Sequence, residues 1–100
     1  MNKTIKTVKV IELELIPTNG RKSFGHKAIV LDDLNGTRYL KSYNTIMCSV
    51  DKNNIVKRHH DNASHTTRTH VKSFLDTFVP RFEYKKFWDL KIENRPNLAI

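Results

Sequence analysis

The hydrophobic period of this chain changes once, and that change sets the fold class. Up to His59 the apolar residues recur in short, turn-punctuated runs that read as strands; from Thr67 they follow helix spacing. Residues 4–16 read as a long strand. Val8 and Val10 point one way, while Ile11, Leu13 and Leu15 point the other. The phase therefore switches near Val10, which predicts a bulge or a change of covering layer. Pro17-Thr18-Asn19-Gly20 is a turn cluster, and residues 18–25 read as a loop. The run Ala28-Ile29-Val30-Leu31 fits a strand covered on both faces.

Asn35-Gly36 predicts a tight hairpin turn of type I′, in which both residues take positive φ. The return strand is Thr37 to Tyr43. A further strand runs over Thr45–Val50, with Ile46, Cys48 and Val50 on one face. Asp51-Lys52-Asn53-Asn54 turns the chain into a partner strand at Ile55–His59, which completes an antiparallel meander.

Beyond the polar stretch Asp61–Ser64, the residues Thr67, Val71, Phe74, Leu75 and Phe78 form a helical stripe. Ser64, Thr66 or Thr67 caps its start, and Pro80 disfavours helix at Val79. Phe82, Tyr84, Phe87, Trp88 and Leu90 follow, with helix and strand both open. The tail from Glu93 reads as extended. The expectation is an α+β fold: an antiparallel sheet of about five strands packed by one main helix at 67–79 and an aromatic C-terminal segment. One hundred residues are enough for one core, so residues 1–100 read as a single domain.

Charge narrows the partner class. Eighteen Lys and Arg against ten Asp and Glu give a formal charge of +8, which favours polyanions or acidic protein surfaces. A single cysteine, Cys48, excludes an intramolecular disulfide. The charged N-terminus lacks the apolar stretch of a signal peptide, and no apolar run approaches the ~20 residues of a membrane span. The expected location is the cytoplasm, with no membrane partner. The sequon at Asn62 then has no glycosylation machinery to meet.

Residues 57–72 are the densest functional candidate, with four of the five histidines, four Lys or Arg and one acid. Three readings fit them. The first is zinc, bound by His60, His65 and His70 and completed by His59, Asp61, Cys48 or water. Histidines five apart lie about 140° apart around a helix, so His65 joins His70 only if it precedes the helix. The second is nucleic acid, with Lys57, Arg58, Arg68 and Lys72 meeting phosphates and His59 or Tyr84 stacking on bases. The third is an acidic partner protein bound by the same four cations.

Catalysis has little support. No GxSxG, P-loop or HExxH is present, and His59-His60-Asp61 has no nucleophile beside it. Cys48 reads as a core thiol.

Two stretches carry a resemblance: Leu40-Lys41-Ser42-Tyr43-Asn44-Thr45-Ile46, and His65-Thr66-Thr67-Arg68-Thr69-His70-Val71-Lys72-Ser73-Phe74-Leu75. This SYxT strand and TTxxH helix start resemble a small domain of phage and mobile-element proteins from low-GC Gram-positive bacteria. The likeness spans roughly residues 40–75. Such proteins include inhibitors of bacterial immunity, among them anti-CRISPR proteins that block RNA-guided Cas nucleases. The resemblance thus implies a non-enzymatic inhibitor acting in the bacterial host cytoplasm. It would dock on an acidic lobe of a Cas nuclease and block target-DNA loading or movement. The alternative is a nucleic-acid-binding accessory or regulatory protein of a phage.

Overall fold

A computed structural model describes residues 7–61 and 64–99. Residues 4–6 of the expected first strand and Asn62-Ala63 of the polar stretch lie outside the described residues. The elements in chain order are β1 (Thr7–Lys9), β2 (Ile11–Glu14), β3 (Ala28–Asp32), β4 (Arg38–Ser42), β5 (Thr45–Val50), β6 (Val56–Arg58), α1 (His65–Phe78), α2 (Tyr84–Phe87) and β7 (Asn97–Ala99). Strands β2 to β6 form one antiparallel sheet in sequence order, and β1 pairs in parallel with β7. This is the α+β class that the change of period predicts. No helix among the described residues is long and apolar enough to cross a membrane.

The phase switch at Val10 is a change of layer. Val8 and Val10 join Leu31, Tyr39, Ile29, Ile46 and Leu98 on one face of the sheet, where β7 lies. Leu15 joins the other cluster, under α1. Between them Val10 N–H donates to the Ala99 carbonyl at 2.8 Å, so the N-terminal segment leaves the sheet to hold the tail. Strand β3 divides the same way, Ala28 and Val30 toward the helix and Leu31 away from it.

Two local details depart from the sequence expectation. The β3–β4 turn is not type I′, because the positive φ values fall on Leu34 and Gly36 rather than on Asn35. Asp33 Oδ1 accepts from the amides of Asn35 and Thr37 at 2.8 and 3.0 Å and draws a wider loop around its carboxylate. In β5, Leu40 pairs with Cys48 but Lys41 pairs with Ile46, so Met47 is an extra residue. That bulge puts Met47 in the helix-side core and sends Ile46 to the other face, where strict alternation would keep it with Cys48.

Helix α1 begins two residues earlier than expected. Ser64 is the cap, and its Oγ accepts from Thr67 N–H at 3.2 Å. The helix stops at Phe78, before Pro80. Phe74, Leu75 and Val71 bury its inner face against Leu40, Met47 and Val50. The aromatic segment closes the end of this core, with Phe87 fully buried and Trp88 and Tyr84 packed at its margin.

Candidate functional site

The site rests on a buried clasp between β4 and α1. Ser42 ends β4, and Thr67 and His70 lie one turn apart on the inner face of α1. Ser42 Oγ and His70 Nδ1 share a hydrogen bond of 2.8 Å, and Ser42 Oγ and Thr67 Oγ1 share one of 3.2 Å. The His70 ring meets Phe24 edge-on at 4.6 Å and Tyr43 at 5.7 Å. Burial holds its pKa below the usual histidine range, and the positive charges of Arg21 and Lys27 push it further down. The SYxT and TTxxH stretches therefore meet in space, through Ser42, Tyr43, Thr67 and His70. Their shared role here is to fix how α1 sits on the sheet.

With that face fixed, Arg68 and Lys72 project on the outer side of α1. Both are exposed and four residues apart. The guanidinium of Arg68 lies 5.2 Å from the Trp88 ring centre, and that of Arg58 lies 5.3 Å from it. Arg58 is anchored further. One of its terminal nitrogens donates to the Trp88 carbonyl at 2.8 Å and the Leu90 carbonyl at 3.2 Å, and Nε donates to the His60 carbonyl at 3.3 Å. Tyr84 Oη donates to the Arg68 carbonyl at 3.3 Å, while Lys72 Nζ stands 5.7 Å from the Tyr84 ring and 3.5 Å from Asp76. Cation–π contacts of this kind hold a charged head in place without neutralising it.

Beside this platform runs a groove of about 460 Å³ between α1 and the Thr18-Asn19 turn, with His65, Arg68, Lys72 and Tyr84 on its walls. Thr18 fixes the far wall. Its Oγ1 donates to Asp76 Oδ2 at 2.9 Å, and its amide donates to Ser73 Oγ at 3.1 Å. Two cations, an imidazole and hydroxyl groups outweigh the carboxylate of this groove, Asp76, a balance that suits carboxylate or phosphate recognition.

The segment 57–72 does not form one face. Arg58, Arg68 and Lys72 converge on Tyr84 and Trp88, but Lys57 lies on the opposite side of the sheet, beside Tyr39, Ser49 and His59. Alternation along β6 explains it, since Val56 and Arg58 turn toward the helix and Lys57 away. The histidines part as well. His60 is exposed, with Nδ1 3.9 Å from Asp61; His65 is exposed at the start of α1; His70 is 1% exposed in the clasp. Among the described residues no three His, Cys, Asp or Glu side chains form a group that could hold a metal ion. Cys48 is fully buried, and burial raises its thiol pKa far above the usual range.

Trp88 carries no sequence signal as the centre of the platform, because the two arginines that flank it lie 30 and 20 residues away in the chain. Sequence reasoning also missed the partner of His59. A carbonyl only accepts, so His59 Nδ1–H donates to the Glu93 carbonyl at 2.7 Å, and neutral Nε2 accepts from Ser49 Oγ at 2.8 Å. This order of serine, histidine and orienting carbonyl resembles an activated nucleophile. However, Ser49 is only 4% exposed and sits in β5 between two paired strands, whose amides are committed to the ladder. The group ties the segment after Leu90 to the sheet, and Glu93 N–H adds a 2.7 Å bond to the Arg58 carbonyl.

Comparison with known proteins finds a family match. A model of a family of unknown function (DUF8033) covers residues 11–89. The chain belongs to this family. The matched span holds the five-stranded sheet, the clasp and the Arg–Trp platform, and leaves out β1 and β7. No curated protein and no solved structure matches the chain.

Proposed function

We propose that this chain is a non-enzymatic binding protein that docks the outer face of α1 and α2 onto an acidic surface of a partner protein. The observation that carries the reading is the pair of guanidiniums held over one indole, Arg58 at 5.3 Å and Arg68 at 5.2 Å from the Trp88 ring centre, with Lys72 beside them over Tyr84. Cations fixed in this way lose little further side-chain freedom on binding, and Arg with aromatic residues is the pairing enriched at protein interfaces. The net charge of +8 steers encounter with an acidic partner.

The resemblance of the Ser42–Thr45 and Thr66–His70 stretches narrows the partner to a host defence protein of the bacterial cytoplasm. A Cas nuclease is the specific case, and the action is steric obstruction of target-DNA loading or movement. A cationic chain does not mimic DNA, so it binds beside the DNA path, on an acidic lobe. The test is DNA cleavage by a purified Cas nuclease–guide complex with added protein. Inhibition by the native chain, lost in an Arg68→Glu/Lys72→Glu variant that keeps its melting temperature, is expected. Equal inhibition by both sinks the role of this face.

One observation favours nucleic acid as the alternative: folding interleaves Tyr84 and Trp88 with Arg58, Arg68 and Lys72. A gel shift across salt concentrations separates the two readings. Direct phosphate contacts make affinity fall steeply with salt, by about 0.9 log units per log unit for each phosphate neutralised on a duplex.

A further inference from the structure

The two edges of the five-stranded sheet are finished differently. At β6 the chain returns to cover the edge: Arg58 bridges to Ile92, and Glu93 N–H bonds the Arg58 carbonyl. At β2 no strand among the described residues follows outward. Leu15 N–H donates to the Ala28 carbonyl, so Leu15, Leu13 and Ile11 direct their amides inward to β3. By alternation the amides and carbonyls of Glu12 and Glu14 point outward. Ile11 and Leu13 are 43% and 44% exposed although they stand on the helix side of the sheet. Glu12 and Glu14 line the other face as acids in a strongly basic chain, with Glu14 Oε1 accepting from Ser23 Oγ at 3.0 Å. At the start of the strand a cavity of about 390 Å³ opens among Val10, Ile11, Leu34 and Ala99, flanked by Lys9 and Asp33.

We infer that β2 is a docking edge for an extended segment of a partner protein, which adds a sixth strand with alternating apolar and basic side chains. Its backbone pairs with Glu12 and Glu14, its apolar residues cover Ile11 and Leu13, and its basic residues face the two acids. One apolar side chain enters the cavity by Leu34. Main-chain bonds supply affinity in this mode, and alternate side chains supply selectivity. The charges decide against a second copy of this chain. Directly opposed residues of antiparallel strands share a face, so a two-fold pair with Leu13 on Leu13 sets Glu12 against Glu14 of the other copy, like charge on like. The surface is separate from the Arg–Trp platform and does not depend on it.

The probe is a fluorescent peptide of alternating lysine and valine, titrated against the full chain by anisotropy while amide exchange is followed by NMR. Saturable binding with slowed exchange at Glu12 and Glu14 is expected. Affinity should fall at least about tenfold in Glu12→Lys/Glu14→Lys, since two favourable cross-strand charge pairs become repulsive. A Glu12→Lys variant, which keeps the Glu14–Ser23 bond, should show part of that loss. The inference is overturned by unchanged amide exchange, by equal binding of a glutamate–valine peptide, or by affinity indifferent to both variants. A dimer that Leu13→Glu dissolves, with no peptide bound, also overturns it and assigns the edge to a second copy.

Discussion

The two faces of the sheet are covered by different means. Among the described residues the principal cluster, under α1, holds fourteen buried residues, with Phe74, Leu40 and Met47 fully enclosed. Under β1 and β7 the cluster holds three, Val10, Leu31 and Tyr39, with half-buried neighbours. One face is closed by a helix whose apolar stripe is written into the sequence. The other is closed by chain ends that have little apolar surface and need polar ties, His59 to Glu93 and Val10 to Ala99. The difference teaches where stability resides and where the molecule opens first. Apolar burial supports the helix face, while a few hydrogen bonds of modest net worth secure the tail face.

The contrast is broken most severely by Phe74→Ala. Removing a fully buried ring should cost about 3–5 kcal/mol in urea unfolding. Ser42→Ala comes next. It strands Thr67 Oγ1 and His70 Nδ1 in the interior and should cost about 1–3 kcal/mol by the same measurement. His59→Ala should cost about 1 kcal/mol globally. Its sharper effect is local: amide exchange at Ala99 and Glu93 should accelerate while the centre of α1 stays protected.

Acid sharpens the comparison further, because both faces hold a histidine kept neutral. Burial is the main cause of the lowered pKa at His59 and at His70; the bond from His59 to the Glu93 carbonyl partly opposes it. A histidine of lowered native pKa binds fewer protons folded than unfolded. Stability is therefore complete above the unfolded value, about 6.5, and declines as pH falls from there toward the native values. Urea midpoints across that window should fall with pH, and the slope should flatten in His59→Ala. The smallest effect separates the two arginines of the platform. Arg58→Ala should lower the melting temperature, because three carbonyls lose their donor. Arg68→Ala, on the exposed face of α1, should lower it less, since an exposed cation–π contact is worth about 0.5–1 kcal/mol. Reversal of Arg58 is then a poor probe of partner binding, and Arg68 a good one.

Much of the fold was legible because its signals are local. The meander, the helix stripe, the stop at Pro80 and the layer change at Val10 follow from period and turn chemistry. The site was legible only in part. Residues 57–72 are close in sequence, so they suggested one cationic and metal-binding patch. The alternation of β6 turns Lys57 and Arg58 to opposite faces, and the rotation of α1 buries His70 while leaving His65 outside. The Met47 bulge was invisible for the same reason, since it exists only in the pairing of β5 with β4.

The sequence by itself determined the class of fold, the excess of positive charge and the residues available to a site, because composition and hydrophobic period need no partner. Only the tertiary structure decided which of them meet. It brought Ser42 to His70 and Ser49 to His59, gathered Arg58 and Arg68 about Trp88, and set β2 at an edge of the sheet. These are long-range arrangements, fixed by how one helix and one tail pack on two faces of a sheet, and no local pattern carries that information.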